Sequence, residues 1–216
     1  AIQHPADTTS ALAQAVAEYA SEALGGTYLG EYTPPHAIMS SYHSQTITSW
    51  PPDYQQLKEV SDADNKFYWN VGITTVADTP QFLTIAYNCE TYQGGAHGLG
   101  VHFGITLRKS DCRRVGWEVI RNSNGEKIQE LMRQGLREYF NVKTDDELKS
   151  LLFDENYIYT MPMPQCPPLF TADGIQFVYN PYEIAPYAAG RPTFVIPYDK
   201  LNDNLTVTAQ RLCGKI

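Results

Sequence analysis

The chain has 216 residues, 43% apolar and 19% charged, with 15 Gly, 14 Pro and 15 Tyr, enough apolar content to bury a core in one large domain or two small ones and to exclude disorder. Its formal net charge of −8 disfavours nucleic acid and anionic membrane surfaces as partners, because both repel an acidic surface. No apolar run approaches the roughly 20 residues that span a bilayer.

A first helix is expected behind Asp7, Thr8 and Thr9 as candidate caps. Leu12, Ala15, Val16, Tyr19, Ala20 and Ala23 then follow at helical spacing, and Gly25-Gly26 stops the run. From Thr27 to Asp64, Pro34-Pro35 and Pro51-Pro52 interrupt any regular element, and the stretch reads as short strands and loops. Strict alternation begins at Phe67, Trp69, Val71 and Ile73. It recurs in the rows Leu83, Ile85, Tyr87, Cys89 and Val101, Phe103, Ile105, Leu107, which predicts three strands of an antiparallel meander with one face on the core.

Glu126 to Phe140 carries Ile128, Leu131, Met132, Leu136, Tyr139 and Phe140 as one apolar stripe, the pattern of a helix packed on the sheet. A shorter helix opens with the capping box Thr144-x-x-Glu147 and carries Leu148, Leu151 and Leu152. The Pro-rich stretch Met161–Pro168 ends the helical region. Ile175, Phe177, Tyr179 and then Phe194, Ile196, Tyr198 alternate as two further strands. Strands, helices and strands without a βαβ rhythm define an α+β class: an antiparallel meander with helices packed on one face.

Catalytic signatures are missing: there is no H-E-x-x-H, G-x-S-x-G, S-x-x-K, P-loop or dinucleotide fingerprint. The five histidines are dispersed, and around Asp62 the calcium-loop pattern lacks its glycine, so neither a metal nor a cofactor is expected. Two segments stand out instead. Gly94-Gly95-Ala96-His97-Gly98-Leu99-Gly100 joins two alternating strands with four glycines in seven residues. Such a loop can turn backbone N–H groups toward an anion or a sugar hydroxyl, with His97 beside them, or it can be a plain connector in which His97 bonds a neighbouring carbonyl.

In Tyr179-Asn180-Pro181-Tyr182-Glu183-Ile184-Ala185-Pro186-Tyr187-Ala188-Ala189-Gly190, Pro181 and Pro186 rule out a central strand. Its tyrosines can stack on sugar rings or anchor a protein partner, or they can close the rim of the core. Gly94, Gly95, His97, Tyr182, Glu183 and Tyr187 are the candidate ligand-binding residues. The two segments are expected to meet at one rim of a cleft, since binding groups concentrate on loops held by a rigid scaffold.

Tyr92-Gln93-Gly94-Gly95-Ala96-His97-Gly98, the run from Tyr182 to Gly190, and Val195-Ile196-Pro197-Tyr198 resemble a domain-of-unknown-function family. That family is found in the extracellular part of the anti-sigma factor RsiV and beside the deacetylase domain of PdaC. The resemblance covers most of residues 65–216, with a looser match to a companion module reaching back to about residue 8. It implies an extracytoplasmic protein, periplasmic or on the cell surface and lipid-anchored as a precursor, built of two small subdomains divided as 1–92 and 93–216. It further implies a non-catalytic role in recognising a lysozyme-like protein or a peptidoglycan or other glycan ligand. The alternative is a glycan-directed hydrolase, or a deacetylase accessory domain, using the glycine-rich hairpin and tyrosine-rich bend. Cys89, Cys112, Cys166 and Cys213 form no C-x-x-C pair. In an exported chain their even number leads one to expect at least one disulfide.

Overall fold

Three long strands lie where alternation places them. The computed structural model describes residues 2–3, 5–26, 33–49, 68–92 and 96–215. In it β1 (Tyr68–Asp78), β2 (Phe82–Tyr92), β3 (Leu99–Arg108) and the short β4 (Arg114–Val115) form an antiparallel sheet in that order. Phe67, expected to open the first strand, lies outside the described residues. The β1–β2 turn is closed by Thr79, whose Oγ1 accepts from the backbone N–H of Phe82 at 3.0 Å while its own N–H donates to Phe82 O at 2.9 Å. From Phe82 to Ala86, β2 is buried on both faces, so the one-sided alternation expected there is replaced by continuous burial.

The chain divides into two units that are not simple halves: Ala1–Thr74 with Tyr87–Gly100, and Thr75–Ala86 with Val101–Ile216. Each long strand contributes residues to both.

In the first unit, α1 (Ala11–Ala23) is capped by Ser10, whose Oγ accepts from Ala13 N at 3.2 Å, one residue beyond the expected caps. Asp7 instead accepts from the amide and hydroxyl of Thr9. The helix ends at Gly25, with φ 76. Ala17, Ala20 and Leu24 pack with Ile38 of α2 (Pro35–Ser49) and with Ile73, and Ile2 bridges to Ile73. Helix α2 corrects the expectation of strands and loops there. Pro35 sits at the first helical position, where its missing N–H has no partner to lose. The helix lacks a long apolar stripe, which is why no helical period announced it.

In the second unit, β5 (Leu169–Phe170), β6 (Gly174–Val178) and β7 (Thr193–Pro197) make a second antiparallel sheet, with Ile175 opposite Ile196 and Phe177 opposite Phe194. Helix α3 (Glu126–Phe140) lies along β7 and buries Ile128, Met132 and Leu136. It ends in Asn141 at φ 55. At Gly135 the Phe194 ring occupies the space a Cβ would need, so helix and strand approach through the missing side chain. Helix α4 (Asp145–Lys149) has the expected reciprocal box: Thr144 Oγ1 accepts from Glu147 N at 3.2 Å, and Glu147 Oε2 accepts from Thr144 N at 3.0 Å. Leu148 and Leu152 are buried while Leu151 is exposed. Tyr198, expected to extend the last strand, instead opens α5 (Tyr198–Leu201), and α6 (Val207–Leu212) follows. Tyr179 likewise falls just beyond β6, although its ring is fully buried. Among the described residues, six α-helices and two antiparallel sheets make the α+β class.

Between α4 and β5 the segment Met161–Pro168 has no ladder partner, and its four prolines have no N–H to offer one. Side chains from elsewhere satisfy it. Gln129 brackets Met161, with Oε1 accepting from the amide at 2.6 Å and Nε2 donating to the carbonyl at 3.2 Å. Tyr179 donates to Pro162 O at 2.6 Å, and Trp117 Nε1 to Pro164 O at 2.8 Å. Gln165 N donates to Glu183 at 2.7 Å, and Thr106 donates to Pro168 O at 3.1 Å.

The four cysteines are free thiols, against the expected disulfide. Cys89 and Cys166 are buried as small hydrophobes, Cys166 among Leu169 and Val178. Cys213 caps the last helix and donates its Sγ hydrogen to Ala209 O at 3.0 Å, while Cys112 sits in the β3–β4 turn at φ 57.

Candidate functional site

The tyrosine-rich bend is built from the end of β6 outward. Glu183 N donates to Asn180 O at 3.0 Å, closing a four-residue turn over Pro181 and Tyr182. Proline at the second position and positive φ at the third are the pattern of a type II turn, whose third position ordinarily takes glycine. Here it is Tyr182, at φ 68 and 53% exposed. Its ring lies 5.7 Å from that of Tyr187, tilted by 34°. Tyr187 opens a 3-10 turn to Ala189 that ends at Gly190 with φ 73, and Tyr139 Oη donates to Ala189 O at 3.0 Å.

Two polar side chains in the bend turn inward. The amide of Asn180 accepts from His102 N at 2.7 Å and donates to His102 O at 3.0 Å, satisfying that residue of β3 as a neighbouring strand would. The Glu183 carboxylate takes one backbone N–H on each oxygen, from Gln165 at 2.7 Å and from Asn180 at 2.8 Å. Ile184 is fully buried, and its carbonyl accepts from Phe153 N at 2.9 Å. The bend is therefore a fixed platform, and Glu183 helps to fix it.

Burial sets the electrostatics here. It raises the Glu183 carboxyl above the usual carboxylate range despite the two amides that favour its charged form. Burial first and the Glu183 charge second push the Cys166 thiol up to about 12, which leaves it protonated and unreactive. The His102 imidazole is held below its ordinary value by burial and then by the charge of Arg191.

In the glycine-rich hairpin, Gly94 and Gly95 lie outside the described residues. His97 is exposed, with Nδ1 2.9 Å from Gly98 O, its neighbour's carbonyl. A Cβ on Gly98 would fall 2.6 Å from Thr91 O, so glycine is required where β3 begins beside β2. His97 belongs to the first unit, and Tyr182, Glu183 and Tyr187 belong to the second, where the fold brings those three together.

Among the described residues, no group of three His, Cys, Asp or Glu is placed to hold a metal ion, and no helix is long and apolar enough to cross a membrane. Sequence reasoning missed Asn180 as the residue that docks the bend, though Asn-Pro was a turn signal. It also missed a concentration of cations, Arg108, Lys109, Arg113 and Arg114, which was visible as a charge run in an acidic chain.

This arrangement defines an α+β module in which an exposed Tyr182 and a half-buried Tyr187 stand on a bend tied down from within. Residues 120–199, which include α3, the second sheet and the bend but not the glycine-rich hairpin, match the model of DUF3298, described as a protein of unknown function. A DUF3298-family crystal structure from Bacteroides fragilis is similar with a TM-score of 0.72 and 21% identity, covering 93% of this chain and 80% of that one. Another, from Pseudomonas aeruginosa, has a TM-score of 0.56 and 15% identity, covering 89% and 78%. These likenesses are of fold. No curated protein matches the chain.

Proposed function

We propose that the chain is a non-catalytic, extracytoplasmic binding module of the bacterial cell envelope that recognises its ligand through Tyr182 and Tyr187, with a lysozyme-like hydrolase as the favoured partner. The observation that carries the reading is Tyr182. A left-handed backbone costs a side-chain-bearing residue about 1–2 kcal/mol, and the ring so placed is 53% exposed, so burial recovers only part of that cost. Strain of this kind, held by surrounding structure, is typical of recognition sites. A tyrosine supplies apolar area and a hydroxyl at little entropic cost, which suits it as an anchor. The net charge of −8 favours association with a strongly basic partner such as a lysozyme. A peptidoglycan or other glycan is the second reading, supported by the tilted pair of rings, whose faces suit stacking on a sugar.

Biolayer interferometry against lysozyme and against purified muropeptides tests this. Wild type is expected to bind one of them, and Tyr187→Ala and Tyr182→Gly to weaken that binding about tenfold or more. Tyr182→Gly is also expected to melt at or above the wild-type temperature, because glycine removes the backbone strain. Binding of neither ligand, or unchanged binding by both variants, would refute the proposal.

A further inference from the structure

Five of the chain's 16 Lys and Arg residues line two adjoining depressions in the second unit, in a chain with 24 acidic residues. The larger, about 440 Å³, lies between the β1–β2 turn, the end of β3 and α6, and is lined by Pro80, Arg108, Lys109, Arg211 and Leu212 among others. The smaller, about 260 Å³, adds Arg113 and Arg114 and shares Arg108 and Thr208 with the first. We propose that this groove binds a compact ligand carrying two closely spaced oxyanion groups, either a diphosphate or an oligocarboxylate. The proposal goes beyond the tyrosine platform and uses none of its residues.

Concentrated like charge is self-repelling, and local carboxylates offset it only in part. Asp111 accepts from Nε and Nη2 of Arg108, and Asp78 pairs with Lys109. Glu118 accepts from the Gly116 amide at 3.0 Å. Among the described residues, Arg211 has no carboxylate partner. The frame is preorganised. Arg108 N donates to Arg113 O and Lys109 N to Gln81 O, each at 2.9 Å, and Asp111 also accepts from Arg113 N at 3.3 Å. Arginine forks match the planar edge of a carboxylate or phosphate, and a fixed backbone frame lowers the ordering cost of binding. Two cationic lobes joined at Arg108 suit two anionic groups on one small body, with Pro80 and Leu212 as apolar wall. The small size of the groove and the acidity of the rest of the chain favour such a ligand over a nucleic acid or a lipid surface.

Isothermal titration of the full chain with pyrophosphate, citrate and orthophosphate tests the proposal. Saturable 1:1 binding of pyrophosphate or citrate is expected, with orthophosphate at least about tenfold weaker, and the tighter of the first two names the oxyanion. Arg211→Gln and Arg113→Gln are each expected to weaken binding about tenfold, while Lys143→Gln, an equal charge change away from the groove, leaves it unchanged. Absence of saturable binding to both ligands would overturn the proposal. So would an equal loss in Lys143→Gln, which would reduce the effect to net charge, or tighter binding to a short single-stranded oligonucleotide.

Discussion

Replacing Thr106 by valine keeps the shape of the side chain and deletes one hydroxyl, and that hydroxyl is saturated. It donates to Pro168 O at 3.1 Å, accepts from Phe170 N at 3.0 Å, and lies 3.0 Å from the hydroxyl of Thr84, which must then be the donor to it. Thr84, Thr106 and Phe170 are fully buried, so no water replaces the lost partner. Three groups are orphaned, Thr84 Oγ1, Phe170 N and Pro168 O; at about 1.3 kcal/mol each, toward the low end for buried groups, and with about 0.8 returned by the added methyl, the net loss is about 3 kcal/mol. For a chain of this size that is a fall of about 6–12 °C in melting temperature, read by circular dichroism or calorimetry. Thr106→Ser retains the hydroxyl and loses one methyl, at about 1 kcal/mol. The valine variant must therefore melt below the serine variant. The reverse order would mean that packing rather than hydrogen bonding matters at this site, and the argument would fail.

Gly135→Ala should improve intrinsic helix propensity yet destabilise the protein by about 1–3 kcal/mol, because the new Cβ collides with the Phe194 ring. Adding Phe194→Leu should restore part of the loss in a chemical denaturation series, and no restoration would point to a different cause. A second expectation concerns acid. The Arg137 guanidinium, bonded at 2.7 Å, and Arg133 beside it hold the Glu130 carboxyl below its usual value of 4.5. A depressed folded-state value means that this pair stabilises above the unfolded value and loses that contribution as pH falls through the folded one. Wild type should thus lose melting temperature more steeply than Glu130→Gln below about pH 4.5, and parallel curves would contradict the assignment.

Elements with several turns of period were legible in the sequence. The stripe from Glu126 to Phe140 gave helix α3 its observed ends, the box at Thr144 gave α4 its start, and alternation located β1 to β3. Helix α2 escaped because its residues carry no apolar stripe and its strongest local cue, Pro34-Pro35, marks helix starts and loops alike. Strands β4 and β5 have two residues each, too few for any period. At the candidate site, proline and tyrosine punctuation located the bend. Which polar groups turn inward was hidden, because Asn180 bonds a residue 78 positions away and such pairing leaves no local trace.

The Met161–Pro168 strap places its structural information outside itself. Most of its anchors bond main-chain carbonyls, a group that every amino acid provides, so many side chains along the strap can drift without changing those bonds. The anchors cannot drift in the same way: Gln129 supplies both a donor and an acceptor to Met161, and Tyr179, Trp117, Glu183 and Thr106 each supply a donor or acceptor at one place. The prolines are constrained for the opposite reason, since replacing Pro162 or Pro164 would introduce an N–H for which no acceptor has been set aside. In a set of homologous chains, invariance should therefore fall on five residues scattered over the fold and on the prolines they serve. The strap is thus a place where sequence variation and structural importance come apart.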